Sequence, residues 1–172
     1  AGPAVLFLHG LGFSSDVWEK QFDSDRLSTH RLVAVDFRGH GRSGLSEHCR
    51  FDQRMWADDI AAVLDHLGIG AVTVVAWSYA GLALGSYLAL NPDESVVRGA
   101  VLVAAATRAG VEGALDDFGP TAVPDGLLSP DRDVALAASA VFVEGCRGDV
   151  SSDVGALDRF VDVVAGTSRQ AL

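Results

Sequence analysis

A serine at position 78 sits among small residues in Val74-Val75-Ala76-Trp77-Ser78-Tyr79-Ala80-Gly81. Before it, Ala71 to Val75 is a short β-branched run. After it, Gly81 to Leu90 is apolar and small, the pattern of a buried helix. Strand, sharp turn with serine at the apex, then helix is the layout that exposes a hydroxyl as a nucleophile. Small residues two before and two after the serine avoid clashes in such a turn. Here they are Ala76 and Ala80 where glycines are usual, so the pattern is a variant. Read blandly, Ser78 only caps the helix. Acyl transfer also requires a base for the serine and two N–H groups aimed at the developing oxyanion. Tyr79, directly after the serine, can supply one N–H. Leu11, in His9-Gly10-Leu11-Gly12, can supply the other. His9 reads as a turn-stabilising histidine rather than the base. Phe13 and Trp77 are candidates for an apolar substrate pocket, with core packing as the competing reading.

The elements that would position these residues alternate along the chain. Ala4–Leu8 is a continuous apolar run, as a fully buried parallel strand shows, and Arg31–Val35 reads as a second buried strand. Ser14-Ser15-Asp16 caps a short helix to Phe22. Asp52 to Leu67 carries Trp56, Ile60, Val63, Leu64 and Leu67 at helical spacing, and Gly68 ends it. Ala71–Val75 is the third strand. Asn91-Pro92 stops the next helix, and Val96–Ala104 is the fourth strand. Alternating strands and helices imply a parallel sheet whose sites lie at the C-terminal ends of the strands. His9-Gly10, Asp36 to Gly44 and Ser78 all fall there. Gly39-His40-Gly41-Arg42-Ser43-Gly44 matches a dinucleotide fingerprint in letters, but no apolar helical period begins after it. After Ala106 the character changes. Thr107 to Gly126 is rich in Gly, Ala and Asp. Ser129-Pro130-Asp131 and Ser151-Ser152-Asp153 start two helices without a further strand, which suggests a lid over the sheet's active edge.

The bulk numbers set bounds. At 172 residues the chain is one domain's worth and can bury roughly 70% of its unfolded surface. Hydrophobic residues make up 49% and the net charge is −10. An acidic surface disfavours nucleic acid and anionic membranes. Cys49 and Cys146 lie in no Cys/His cluster, so a zinc site is not expected, nor is any cofactor. They read as reduced thiols of a cytoplasmic protein. Ala1-Gly2-Pro3-Ala4 carries no basic residue, so it is not expected to be a signal peptide.

Three motifs in order, Leu6-Phe7-Leu8-His9-Gly10-Leu11-Gly12, Val35-Asp36-Phe37-Arg38-Gly39-His40-Gly41-Arg42-Ser43-Gly44 and Ala76-Trp77-Ser78-Tyr79-Ala80-Gly81, resemble the α/β-hydrolase superfamily. The likeness is to its third strand, fourth strand and elbow, with Val97 to Ala104 similar to its sixth strand. Within the superfamily the chain looks closest to small esterases, cofactor-free haloperoxidases and carbon–carbon hydrolases. The resemblance implies a partial α/β-hydrolase fold: a parallel sheet core flanked by helices over 1–106, and the start of a helical cap over 107–172. It implies Ser78 as nucleophile, Leu11 and Tyr79 as oxyanion donors, no metal and a small-molecule substrate. In that family an acid and then a histidine follow the serine. Here His9, His30, His40, His48 and His66 all precede Ser78. The expectation is therefore a serine ester hydrolase, working through an acyl-enzyme, whose catalytic acid and histidine are not in these residues and whose chain lacks both ends of the fold. The alternatives are a non-catalytic binding or scaffold protein on a truncated fold, and a rearranged triad using His40 or His9. Four strands alone would leave sheet edges open, which makes a homo-oligomer through those edges an expectation.

Overall fold

The computed structural model describes residues 2–45, 53–93, 95–108, 124–146 and 154–167. Four strands, β1 (Ala4–Leu8), β2 (Arg31–Val35), β3 (Val72–Trp77) and β4 (Val97–Val103), form one parallel sheet in the order β2-β1-β3-β4. β1 is covered on both faces, which is why it reads as an unbroken apolar run. Leu6 and Leu8 are fully buried, and each such side chain contributes about 2 kcal/mol by leaving water. The helices are α1 (Glu19–Phe22), α2 (Gln53–His66), α3 (Ala80–Leu90), α4 (Arg132–Cys146) and α5 (Val154–Gly166), with a 3₁₀ turn at Ser15–Trp18 before α1.

The sheet is covered on two faces. Leu6, Leu8, Val72, Val74 and Ala76 meet Trp56, Ile60 and Leu64 of α2 and Ala83, Leu84 and Tyr87 of α3. Val5 and Phe7 point the other way, onto Trp18. β4 is an edge: Val101, Leu102 and Val103 are 50%, 53% and 40% exposed. Register aligns the strand ends. Leu8 lies beside both Val35 and Ala76, and Trp77 lies beside Val103. The segments following all four strands therefore emerge at one edge.

Boundaries depart from the sequence reading in two places. β3 runs on to Trp77, because Ala76 and Trp77 still pair with Leu102 and Val103. α4 begins at Arg132, and Asp131, not Ser129, caps it. The Asp131 carboxylate accepts the Asp133 N–H (2.9 Å) and the Val134 N–H (3.3 Å) of the first turn. Ser129 Oγ instead accepts the Asp131 N–H at 3.1 Å. Gly68 ends α2 as expected, at φ +62. Its N–H reaches the Asp65 carbonyl, and Ile69 N–H reaches the Leu64 carbonyl, a Schellman closure. Cys146 is a free thiol. Cys49, the stretch 109–123 and the helix start at Ser151-Ser152-Asp153 lie outside the described residues. No helix among the described residues is long and apolar enough to cross a membrane.

One ion pair fastens the loop after β2 to α2. Arg38 Nε donates to Asp59 Oδ2 at 2.7 Å, and Arg38 Nη2 bonds both Asp59 Oδ1 and the Met55 carbonyl. Both side chains are about four-fifths covered (19% and 26% exposed), so solvent screens the pair only partly. Arg38→Ala is expected to lower the unfolding free energy by about 2 kcal/mol in urea titrations. A change under about 0.5 kcal/mol, the range of ordinary surface substitutions, would show that the pair is no anchor.

Candidate active site

β3 delivers its last residue into a turn that L-residues rarely adopt. Ser78 has φ +54, and Tyr79 at φ −56 already leads into α3. A left-handed non-glycine residue costs about 1–3 kcal/mol and persists only when its surroundings hold it. Here the end of β4 holds it. Ser78 N–H donates to the Val103 carbonyl at 3.0 Å. The Ser78 carbonyl accepts Ala106 N–H at 2.9 Å and Gly81 N–H at 3.1 Å. Ala104, at φ +41, lies between those two clamps. The requirement for small residues has a visible cause. Ala76 and Ala80 are fully buried, and a side chain at Gly81 would run into the Ala106 carbonyl and the Ala105 methyl.

The loop after β1 lies against this turn. A Cβ on Gly10 would stand 3.1 Å from Ser78 Cβ and 3.2 Å from the Trp77 ring, so a side chain there would press on both. Phe13 N–H donates to the Gly10 carbonyl at 3.2 Å, closing a four-residue turn with Gly12 at φ +80 in its third place. Positive φ there marks a type II turn. His9 secures it from below. Its Nδ1–H donates to the Gly10 carbonyl at 2.8 Å and its Nε2 accepts Phe37 N–H at 3.0 Å. Both ring nitrogens are thus used by the neutral form. Burial is the main reason the His9 pKa falls to about 4; the Gly10 carbonyl and Asp36 oppose the fall and His40 adds to it. Within the described hydrogen bonds, the N–H groups of Leu11 and Tyr79 are given to no acceptor.

The glycine-rich loop after β2 wraps a carboxylate. Asp36 accepts Ser15 N–H at 2.6 Å and Arg42 N–H at 2.9 Å, and a Cβ on Gly41 would stand 2.5 Å from the carboxyl group. Gly41 thus makes room for the Asp36 carboxylate. The same hydrogen bonds hold the Asp36 pKa below the usual carboxylate value against the opposing effect of burial. His40 is buried beside His9, ring centres 5.2 Å apart, and its Nδ1 donates to the Arg38 carbonyl at 3.1 Å. Burial lowers its pKa too. Among the described residues no hydrogen bond joins either histidine to Ser78.

The Phe13 and Trp77 rings meet at 4.8 Å, tilted by 57°, and Phe142 of α4 and Phe160 of α5 close on Phe13 at 5.8 and 6.0 Å. Phe13 is buried there with Val143 and Val164, so its ring is covered by α4 and α5. The Tyr79 ring leaves the site and meets Trp56 edge-on at 4.6 Å, with burial pushing its hydroxyl pKa to about 12. Sequence reasoning gave no role to Thr167. Its hydroxyl reaches the Gly12 carbonyl across 155 residues of sequence, a partnership with no local signature. Among the described residues no group of His, Cys, Asp or Glu side chains could hold a metal ion.

The family model for the alpha/beta hydrolase fold matches residues 3–144. The chain belongs to the α/β-hydrolase family. Among curated relatives, it is 38% identical over 103 residues to a bifunctional esterase/perhydrolase of Acinetobacter calcoaceticus, covering 60% of this chain and 37% of that protein. It is 30% identical over 141 residues to a non-heme chloroperoxidase of Kitasatospora aureofaciens, covering 82% and 50%. The crystal structure of an esterase from Rhodococcus sp. ECU1013 superposes with a TM-score of 0.88 at 32% identity, covering 99% of this chain and 62% of that one. The α/β-hydrolase chain described here therefore spans between about a third and two thirds of the length of these relatives.

Proposed function

We propose that this chain carries the nucleophile half of a serine ester hydrolase. The observation that carries the reading is Ser78 at φ +54 on the strand-to-helix turn, with the Gly10 backbone against its Cβ. In the proposed reaction Ser78 Oγ attacks the carbonyl of an ester or similar small substrate. The oxygen that gains charge is held by the N–H groups of Leu11 and Tyr79. The alcohol leaves, and water then releases the acyl group from Ser78. A base and its carboxylate partner would come from the portion of the relatives' length that this chain does not span. Residues 107–172 would act as a cap, and Phe13 and Trp77 as the apolar wall between cap and serine. The names of the esterase relatives support an ester over other substrates.

The second reading is a binding or scaffold domain on the same fold. It is favoured by the position of all five histidines before Ser78 and by the engagement of His9 in its loop. Exposed β4 would then serve association. A fluorophosphonate probe with added imidazole separates the two, because imidazole can stand in for the base. Intact-mass labelling of the 172-residue chain is expected to be slow alone. Imidazole should speed it about 10-fold or more, and Ser78→Ala should abolish it. Absence of imidazole-dependent labelling at Ser78 would overturn the hydrolase reading in favour of the scaffold.

A further inference from the structure

The turn that presents Leu11 N–H is gripped from two sides. Below it, His9 Nδ1–H and Phe13 N–H both donate to the Gly10 carbonyl. In a trans peptide the N–H points opposite to the carbonyl, so fixing the Gly10 oxygen fixes the direction of Leu11 N–H. Above it stands the end of α5. Thr167 is buried, and its hydroxyl lies 2.8 Å from the Gly12 carbonyl and 3.0 Å from the Val163 carbonyl. One hydroxyl proton is shared between two acceptors, one on the helix and one on the loop. Val164, one turn back, is buried in the same aromatic cluster that holds Phe13. α5 thus grips the exit of the turn by a hydrogen bond at Gly12 and by packing at Phe13.

The Gly12 carbonyl shares its peptide with the Phe13 N–H, so holding that oxygen also aims the N–H that donates to the Gly10 carbonyl. With the Gly12 carbonyl released, the Gly12–Phe13 peptide can turn its N–H away from the Gly10 oxygen, and the Leu11 N–H loses one of the two donors that set its direction. We propose that Thr167 is a positioning residue for the Leu11 N–H, and that through it the α4–α5 pair sets the geometry of the oxyanion loop. A helix far along the chain then has a role in the chemistry without touching substrate. The proposal rests on Leu11 being an oxyanion donor, as set out above.

The test compares Thr167→Val, which keeps the shape and removes the donor, with Thr167→Ser, which keeps the donor. Amide hydrogen exchange on the 172-residue chain reads the loop, and imidazole-supported fluorophosphonate labelling reads the serine. Thr167→Val should raise exchange at Phe13 about 10-fold and slow the maximal labelling rate by a similar factor, with half-saturation by the probe unchanged. Thr167→Ser should restore both, and exchange at Val74 should not move in either variant. Wild-type loop exchange in Thr167→Val would overturn the proposal. So would faster exchange with undiminished labelling, or a Thr167→Ser variant as impaired as Thr167→Val. Labelling that survives Ser78→Ala would instead sink the hydrolase reading, and the exchange data would still decide whether Thr167 holds the turn.

Discussion

Gly81→Ala is expected to slow Ser78 labelling about 100-fold and to lower the melting temperature, although the same change elsewhere in α3 should raise it. In a helix interior alanine is favoured over glycine by about 1 kcal/mol. Gly85 tests that term alone: a Cβ there meets nothing within 4 Å, and Gly85→Ala should stabilise by up to that amount. At Gly81 the added methyl meets the Ala106 carbonyl and lies 2.9 Å from the Ala105 methyl. The obstacle is backbone, so neither side can swing aside. The segment after β4 must retreat, and the Ala106 N–H bond to the Ser78 carbonyl goes with it. Overpacking of this kind costs about 1–3 kcal/mol and exceeds the propensity gain. The net loss of up to about 2 kcal/mol corresponds to up to about 8 °C for a chain of this size. Labelling should suffer more than stability, because a displacement near 1 Å at a reacting atom is worth about 100-fold in rate. Calorimetry and labelling on the two variants side by side would check it. Equal behaviour of Gly81→Ala and Gly85→Ala would contradict the clamp.

What could be read from the sequence followed from local rules. Buried strands such as Ala4–Leu8 are uniformly apolar because both faces are covered, so they stand out without knowledge of the neighbours. The turn at Ser78 was legible because close backbone approach forces small residues on it, and Gly81 shows what they avoid. The ends of elements were less legible. Whether β3 stops at Val75 or Trp77 is decided by its ladder to β4, and whether Ser129 or Asp131 caps α4 is decided by one residue of register. Long-range hydrogen bonds were illegible. Thr167 with Gly12 and Arg38 with Asp59 leave no periodicity, since each joins residues that only the tertiary fold brings together.

Between pH 7 and pH 4 the chain is expected to lose about 3 kcal/mol of stability through His9 alone. The cause is the pair of bonds that hold the loop. The proton on Nδ1 is donated to the Gly10 carbonyl, and the lone pair of Nε2 accepts from Phe37 N–H. A second proton would have to enter at Nε2, facing a donor, inside a buried site. The unfolded chain has no such objection and takes up the proton near the ordinary histidine value of 6.5, whereas the folded chain holds it off until about 4. Below 6.5 the unfolded state therefore binds more protons, and stability falls with falling pH until both states are protonated. Above 6.5 the contribution is constant. His40 acts in the same direction, since burial lowers its pKa as well. Asp36 acts in a different window. Its pKa is depressed from 3.8, so its stabilisation is present above that value and is lost only as pH falls further, through the folded value. Urea titrations at pH 7, 5.5 and 4.5 should show the loss before Asp36 contributes. His9→Gln should be less stable at pH 7, having lost the imidazole's bonds, yet its stability should vary less over the same range. An unaltered pH profile in His9→Gln would refute the assignment. The same acid range should loosen the Gly10–Phe13 turn, so Leu11 loses its alignment with Ser78 while β1 and β3 remain paired.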